Sequence, residues 1–276
     1  MIPLRRRNRF ILLSFLFPLS VYAQQIDLYS EKNISEYAQY LFRTKQYIYA
    51  AEEYERLFFL YPENENYQLG LLRSYRFGGD YPKGIFVYES LRKQGERPGI
   101  EILREYSKLN LLSGNLSNNT LLIHDPEIDM DFRNNLDLTM RLMSVPDYTG
   151  DLTGIDPDRA DKGLMELYNS RDQIRYKSRF LAGSFSTLVP GMGKVYSGRW
   201  KDGLVSLLFV GATGFQAYRG FSQKGSESIY GWIMGSLSVG FYIGNIFGSV
   251  KAAKIYNTNQ NRIYSEKVTH YYIDHF

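Results

Sequence analysis

The chain has 276 residues, 33 of them basic and 29 acidic, and it contains no cysteine. The missing cysteines exclude disulfides, thiolate catalysis and cysteine-ligated zinc. Four of the arginines lie in a predicted cleaved leader, so the mature chain carries 29 residues of each sign, and this balance removes nucleic acid from the candidate partners.

The N-terminal residues have the order of a secretory signal peptide. Four arginines occur within the first nine residues, an apolar run follows from Phe10 to Leu19, and Val21 and Ala23 occupy the −3 and −1 positions of a cleavage site. We expect cleavage before Gln24; the alternative is a retained anchor helix. An exported chain without disulfides is typical of a bacterial envelope.

Two segments that lie 34 residues apart are alike: YIYAAEEYERL at 47–57 and YPKGIFVYESL at 81–91. A small residue, an aromatic residue four positions later and a leucine three after that form the tetratricopeptide pattern when they recur with this period. Residues 31–98, with a degenerate continuation over 99–123, therefore resemble the tetratricopeptide-repeat family; the alternative is a coincidental helical hairpin. The residues expected to pack the repeats are Ala50, Tyr54, Leu57, Gly84, Tyr88 and Leu91.

The resemblance implies a groove that binds a peptide or a partner protein. By the family's positions on the first helix of each repeat, the side chains facing this groove would be Gln39, Arg43, Arg73 and Arg76. Two arginines one helical turn apart could bind a carboxylate through bidentate hydrogen bonds. The alternative is an ordinary solvated helix face.

The middle of the chain is acidic, with 5 basic and 12 acidic residues over 111–174. Four aspartates, at positions 151, 156, 158 and 161, suggest a calcium site, because hard cations prefer clustered carboxylates. The spacing of an EF-hand loop and its closing glutamate are missing, however. The sequence favours helix caps instead, with Asp156-Pro157 starting a helix that runs to about Arg175 and Asp125-Pro126 starting the helix before it.

The glycine-rich stretch LVPGMGKVYSGRW at 188–200 raises the question of a nucleotide site. A phosphate-binding loop would require glycine at position 188 and a hydroxyl residue after Lys194, but the chain has Leu188 and Val195 there. No buried strand is expected before the loop. The nucleotide interpretation therefore fails, and the stretch is better explained as a tight turn that leads into a membrane segment.

Two uncharged segments follow, Gly203–Tyr218 and Ser228–Val250. The second has the length of a bilayer span, whereas in a soluble protein it would have to be a buried helix. Its glycines recur every four or five residues and favour close helix packing, with Asn245 as an interhelical hydrogen-bonding group. These glycines are Gly231, Gly235, Gly240, Gly244 and Gly248.

Residues 178–256 resemble the bacterial two-transmembrane-helix domain. Its signature is a Pro-Gly-x-Gly turn, then Tyr-x-Gly-Arg/Lys, then a glycine that opens an apolar helix. The matching residues are Pro190, Gly191, Gly193, Tyr196, Gly198, Arg199 and Gly203. The resemblance implies a membrane-embedded helical hairpin and no particular activity.

These patterns together predict an all-α protein, in which a tetratricopeptide-like solenoid precedes a glycine-rich transmembrane hairpin. The expected parts are a signal peptide (1–23), repeats (24–123), an acidic helical continuation (124–177), a membrane domain (178–256) and a polar, aromatic tail (257–276).

The sequence predicts no catalytic residue, cofactor or metal. None of its three histidines has metal-ligand spacing or a nucleophile beside it. We expect a non-enzymatic envelope adaptor in the inner membrane, with its repeats facing the periplasm. Its expected partners are envelope proteins, membrane lipid and a second copy of the chain. The alternatives are a small oligomeric channel or translocation subunit, and a membrane-bound enzyme with a site near Tyr196–Arg199.

Overall fold

The computed structural model describes residue 27 and residues 29–93, 98–144 and 152–276. These residues form twelve α-helices and two short 3-10 helices, and no strand occurs among them. The predicted all-α class is therefore confirmed. The predicted signal peptide and the aspartate at position 151 lie outside the described residues.

Seven helices of 8 to 14 residues make up the first half of the chain. They are α1 Glu31–Arg43, α2 Tyr47–Leu60, α3 Glu65–Gly78, α4 Tyr81–Lys93, α5 Ile100–Ser113, α6 Leu116–Ile123 and α7 Met130–Met143. Helices α1, α3 and α5 begin at residues 31, 65 and 100, and helices α2, α4 and α6 begin at 47, 81 and 116. Consecutive helices pack on each other, and α3 also packs on α5. The helices thus recur at the interval of the sequence repeat, while membership of the tetratricopeptide family remains a prediction.

The six predicted repeat-packing residues are all buried. Ala50, Leu57 and Leu91 are fully enclosed, and Tyr88 stacks on Tyr106 with a centroid separation of 3.6 Å. At Gly84 an added Cβ would come within 2.7 Å of a methyl carbon of Leu109, so only glycine fits this close approach of α4 to α5 without a shift. Tyr54 is buried beside Gly70, and its ring occupies the space that a side chain at position 70 would need.

Asn119 occupies the third position of the small-residue series, after Ala50 and Gly84. It is completely buried in α6. Its amide nitrogen donates to the carbonyl of Ser107, and its amide oxygen accepts from Asn110. A buried polar group is tolerated when it is hydrogen-bonded, so these contacts to α5 explain how asparagine fits there.

The acidic segment contains α8 Lys162–Ser170 and a 3-10 turn at Arg171–Gln173. The N-cap of α8 is Asp161, whose Oδ1 accepts hydrogen bonds from the amides of Gly163 and Leu164. The predicted cap at Asp156 is therefore wrong, and the helix ends at Ser170 rather than near Arg175. The side chains of Asn134 and Asn135 on α7 hydrogen-bond the backbone at 156 and 161, which holds the intervening turn in place.

The start of α7 was also predicted too early in the chain. Its N-cap is Asp129, which accepts from the amide of Phe132 at 2.9 Å. Asp125, the predicted cap, accepts instead from the amide of Glu127 in a turn. Both errors have one cause, because an Asp-Pro pair begins a turn as readily as a helix.

The second half of the chain is a bundle of four helices. These helices are α9 Arg179–Leu188, α10 Met192–Tyr196, α11 Trp200–Lys224 and α12 Ile229–His275. Helices α11 and α12 run antiparallel, α9 packs on α12, and the short α10 packs on the other three. A 3-10 turn at Gly225–Glu227 joins the two long helices.

Helix α12 has 47 residues and is therefore about 70 Å long. The residues 257–276 were predicted as a separate tail, but 257–275 continue this helix without a break and Phe276 caps it. Tyr264, Val268 and Tyr272 recur every fourth residue there and are buried against α5, α7 and α8. The Tyr272 hydroxyl lies 3.0 Å from Oγ of Ser107 on α5.

Within the described part of the chain, α12 is the one helix long and apolar enough to cross a membrane, by length and composition. Only 11% of its apolar 18-residue stretch is buried within the protein. The first predicted span lies in α11, which carries Lys201, Asp202 and Arg219 and several hydroxyl and amide residues. By this criterion the two predicted spans therefore reduce to one candidate.

Candidate functional site

The Pro-Gly-x-Gly turn lies where all four helices of the second half meet. Pro190 and Gly191 connect α9 to α10, and Gly191 has a φ of 90°, a conformation that L-residues with a side chain rarely adopt. A Cβ at Gly191 would overlap the carbonyl oxygen of Gly203 on α11. At Gly193 it would overlap the carbonyl oxygen of Ala182 on α9. These glycines thus allow the backbones of α9, α10 and α11 to approach one another closely.

A buried polar network fixes this junction to α12. The amide of Gly191 donates to Oδ1 of Asn245 at 3.0 Å, and the amide of Gly193 donates to Oγ of Ser186 at 2.9 Å. Ser186 Oγ also lies 2.6 Å from Oγ of Ser249, four residues after Asn245. Asn245 was predicted to hydrogen-bond between helices. Its side chain accepts a hydrogen bond from the backbone amide of Gly191 in the Pro-Gly-x-Gly turn.

The remaining motif residues lie around the outside of the junction. The Tyr196 hydroxyl accepts from the amide of Ser178 at 3.1 Å, and the Lys177 ammonium lies 4.7 Å from the centroid of its ring. Gly198 follows α10 with a φ of 82°. Arg199 is half exposed and pairs with Asp202 at 2.6 Å, so this arginine lies at the protein surface.

The connecting segment before α9 is held against α12 by amide side chains. The backbone amide of Lys177 donates to Oδ1 of Asn257, and the Asn257 amide donates back to the Lys177 carbonyl. One turn farther on, the Tyr176 hydroxyl donates to Oδ1 of Asn261 at 2.7 Å. These contacts continue the attachment to α12 beyond the glycine junction.

The five glycines of α12 have three different environments. Gly231 packs against the backbone of Gly220 on α11, and Gly235 lies near Ala217. Gly248 faces the stem of Lys194, whose Cε would lie 3.1 Å from an added Cβ. Added Cβ atoms at Gly240 and Gly244 would meet nothing within 4 Å.

Two of the three predicted groove arginines, Arg73 and Arg76, contact carboxylates of the chain itself. Arg76 Nε lies 2.6 Å from Oε2 of Glu105 on α5, and Arg73 Nε lies 3.4 Å from Oε1 of the same residue. Lys108 Nζ approaches Glu105 at 3.5 Å, and Arg73 also approaches Glu101 at 3.8 Å. The carboxylate that the two arginines were predicted to bind is thus supplied by α5 of the same chain.

Charge compensation controls the ionisation of this cluster. Burial would raise the pKa of Glu105, but the hydrogen bond from Arg76 and the charges of Arg76, Lys108 and Arg73 hold the pKa below its usual value. Burial lowers the pKa of Lys108 in spite of its contact with Glu105. Three cations around one buried carboxylate leave the cluster with a positive excess.

The other two predicted groove residues, Gln39 and Arg43, are exposed on α1. Gln39 donates to the hydroxyl of Ser35 at 3.4 Å, a contact within its own helix. The same helix exposes about half of Tyr37 and of Tyr40, whose rings stack with centroids 6.4 Å apart. Aromatic and arginine side chains on one helix are typical of a protein-binding surface.

Sequence reasoning did not identify Ser186, Ser249, Lys194 or Glu105 as site residues. The sequence contains one indication for Ser249: it follows Asn245 by four residues and so lies on the same face of the helix. Ser186 and Ser249 are bonded to each other and to amide and backbone groups, and no histidine or carboxylate is among their hydrogen-bond partners in the described residues. Among the described residues, neither hydroxyl thus contacts a group that could act as its general base, and both take part in holding α9, α10 and α12 together.

Comparison with protein-family models, curated proteins and solved structures finds no match to this chain.

Proposed function

We propose that the chain is a non-enzymatic adaptor of the bacterial cell envelope. In this proposal α11 and α12 form a hairpin in the inner membrane, and α1 to α7 face the periplasm and bind another envelope protein. The acidic segment and the end of α12 join the two parts. The function is mechanical, since it keeps a partner at a defined place near the membrane.

One observation carries the proposal: the two halves of α12 have different surroundings. Phe247 and Trp232, in the apolar half, are exposed by 71% and 61%. Val268 and Tyr272, in the second half, are completely buried against α5, α7 and α8. An apolar helix surface of this size needs a lipid or protein cover, and the same helix is built into the core of the partner-binding part.

Membrane insertion can be tested with single cysteines, because the chain has none of its own. We compare Val239→Cys with Ile263→Cys, two exposed apolar positions in the two halves of α12. Val239 lies in the middle of the uncharged stretch, so in intact proteoliposomes a water-soluble maleimide should label Ile263→Cys, and it should label Val239→Cys only after detergent is added. Equal labelling of both positions without detergent would contradict insertion.

Partner binding is supported by the surface of α1 that holds Gln39, Arg43, Tyr37 and Tyr40. A photo-crosslinking amino acid at position 43 should give one discrete protein adduct in intact cells. The same amino acid at Arg56, an exposed position on α2, should not give that adduct. Absence of a discrete adduct from position 43 in a correctly inserted protein would contradict the adaptor function.

A further inference from the structure

A shallow groove lies along the apolar half of α12 on the surface of the bundle. Its first part lies between α10, α11 and α12, and its second part is an open stretch of the surface of α12 alone. Its first part has a volume of about 240 Å³ and its second part about 710 Å³. Gly240 and Phe241 line both parts, so the two adjoin. Lys194 and Ser206 lie at one end, and Trp232 and Ile233 lie at the other.

The groove exists because two glycines leave it open. Gly240 and Gly244 face no other atom where a side chain would stand. The Phe209 and Phe241 rings, with centroids 5.4 Å apart, form its apolar wall. From Gly244 to Ile233 the helix rises by about 16 Å, which is close to half of the roughly 30 Å hydrocarbon core of a bilayer. The groove thus has the length and the apolar lining for one acyl chain.

A cation without a counter-ion marks one end of the groove. The half-buried Lys194 donates to Oγ of Ser206 at 2.6 Å. No carboxylate of the described residues lies within 4.0 Å of its ammonium. Its stem crosses α12 at Gly248, just before Lys251 and Lys254 end the uncharged stretch. The free positive charge therefore lies at the depth where phospholipid head groups begin.

We propose that this groove binds one acyl chain of an anionic phospholipid, with the lipid phosphate on Lys194 and Ser206. The chain lies over Gly244 and Gly240 and reaches toward Trp232. The cation selects an anionic head group, and the glycines provide the room for the chain. This inference rests on the proposed membrane insertion, because the lipid reaches the groove from the bilayer.

The chain's two tryptophans make the test direct. Trp200→Phe leaves Trp232, at the apolar end of the groove, as the only tryptophan, and excitation at 295 nm avoids the tyrosines. The full chain is reconstituted in phosphatidylcholine bilayers that contain a lipid brominated near the ends of its acyl chains. Brominated phosphatidylglycerol should quench Trp232 at about fivefold lower content than brominated phosphatidylcholine, as expected for one cation near the lipid surface.

The variants separate the head-group contact from the chain contact. Lys194→Gln should reduce the fivefold preference to about one, and Lys194→Arg should keep it. Gly240→Leu fills the groove and should weaken quenching by both lipids. The matched controls are Gly211→Leu, at an open glycine of α11 outside the groove, and Lys201→Gln, at an exposed lysine that lies over Trp200 in the native chain. Neither control should change the preference.

Other results would overturn the proposal in distinguishable ways. Equal quenching by the two brominated lipids in the Trp200→Phe protein would rule out the anionic site while leaving membrane insertion intact. Lack of quenching by either lipid would contradict both insertion and the groove. If inorganic phosphate abolished the preference for phosphatidylglycerol, Lys194 would be a binding site for a free anion and not for a lipid head group. A change of oligomeric mass in Gly240→Leu, with lipid preference unchanged, would assign the groove to a second copy of the chain.

Discussion

At the scale of single residues, Glu105 determines whether α3 and α5 can share a buried charged contact. Its side chain is 2% exposed, and those of Arg76 and Lys108 are each 9% exposed. A buried pair gains little over an apolar pair, but removing one partner leaves an uncompensated charge. Because two cations depend on one carboxylate, the effect of losing Glu105 should exceed that of losing either cation.

We predict that Glu105→Gln lowers the free energy of unfolding by about 3 kcal/mol at neutral pH. In spite of burial, the hydrogen bond from Arg76 and the neighbouring cations hold the folded-state pKa of Glu105 below the ordinary glutamate value of 4.5. Its contribution is therefore complete above about pH 4.5 and is lost as the pH falls through the lower folded-state pKa. Chemical denaturation at several pH values measures this, and the two proteins should converge in acid.

Glu101→Gln is the matched control, since Glu101 is 50% exposed and contacts Arg73 and Arg104 at the surface. It should cost less than about 1 kcal/mol. A gap between Glu105→Gln and the native protein that stayed constant down to pH 3 would show that packing, and not charge, accounts for the loss.

A second residue-scale prediction concerns the glycine junction. Gly193→Ala should destabilise the bundle by about 1–3 kcal/mol, because the new methyl group overlaps the Ala182 carbonyl. Gly211→Ala meets open space and should be neutral or stabilising by up to about 1 kcal/mol. Thermal unfolding in detergent compares the two. Equal midpoints would mean that α9 and α10 do not pack as closely as described.

At the scale of elements, α12 is the part that connects the two halves of the fold. Its C-terminal half contributes Tyr272 to the core of the first half, and Tyr264 donates to the carbonyl of Leu167 on α8 at 2.7 Å. Tyr271 donates to Asp161, the cap of α8. The last turns of α12 thus pack on α5, α7 and α8 and tie the second half of the chain to the first.

Removal of this contact should open α5. We predict that Tyr272→Ala costs about 3–5 kcal/mol and accelerates amide hydrogen exchange in α5. Tyr230→Ala, at a half-exposed tyrosine near the start of the same helix, should change stability by less than about 0.5 kcal/mol. Hydrogen exchange followed by mass spectrometry resolves the two regions. Unchanged exchange in α5 would show that the packing of α12 on α5 is not required.

The helices of the first half could be predicted because the 34-residue period repeats the same buried positions, from Ala50 to Gly84. The continuation of α12 could not be predicted from its polar composition, although Tyr264, Val268 and Tyr272 share one helix face. The Ser186–Ser249 pair joins residues 63 positions apart. Glu105 meets Arg76 across 29 positions. Local patterns contain no information about which distant partner completes such contacts, so these parts of the site required the structure.

At the scale of the whole molecule, one uninterrupted helix sets the orientation of the first seven helices relative to α11. Neither proline nor glycine occurs in α12 after Gly248, so no residue there is expected to act as a hinge. Hydrogen bonds also hold the segment before α9 to this part of α12. They join Tyr176 to Asn261 and Lys177 to Asn257.

We predict that Thr258→Pro disrupts this orientation while both halves stay folded, because an interior proline removes a helical hydrogen bond and bends the helix. Spin labels at Phe59→Cys and Ile229→Cys, both strongly exposed, report the distance between the two ends of the molecule. The distance distribution should broaden or move in Thr258→Pro and stay unchanged in Thr258→Ala. Superimposable distributions in all three proteins would contradict a rigid connection.

An unbroken helix between two packed halves also restricts how the length of this chain can change. One inserted residue between 251 and 262 would rotate the first seven helices by about 100° around the α12 axis. Seven inserted residues complete nearly two turns and leave an offset of only about 20°. Insertions in the turns after Thr44 or Gly79 cause no such rotation. In this stretch of α12, the tolerated lengths should therefore follow the helical period, as they do in a coiled coil.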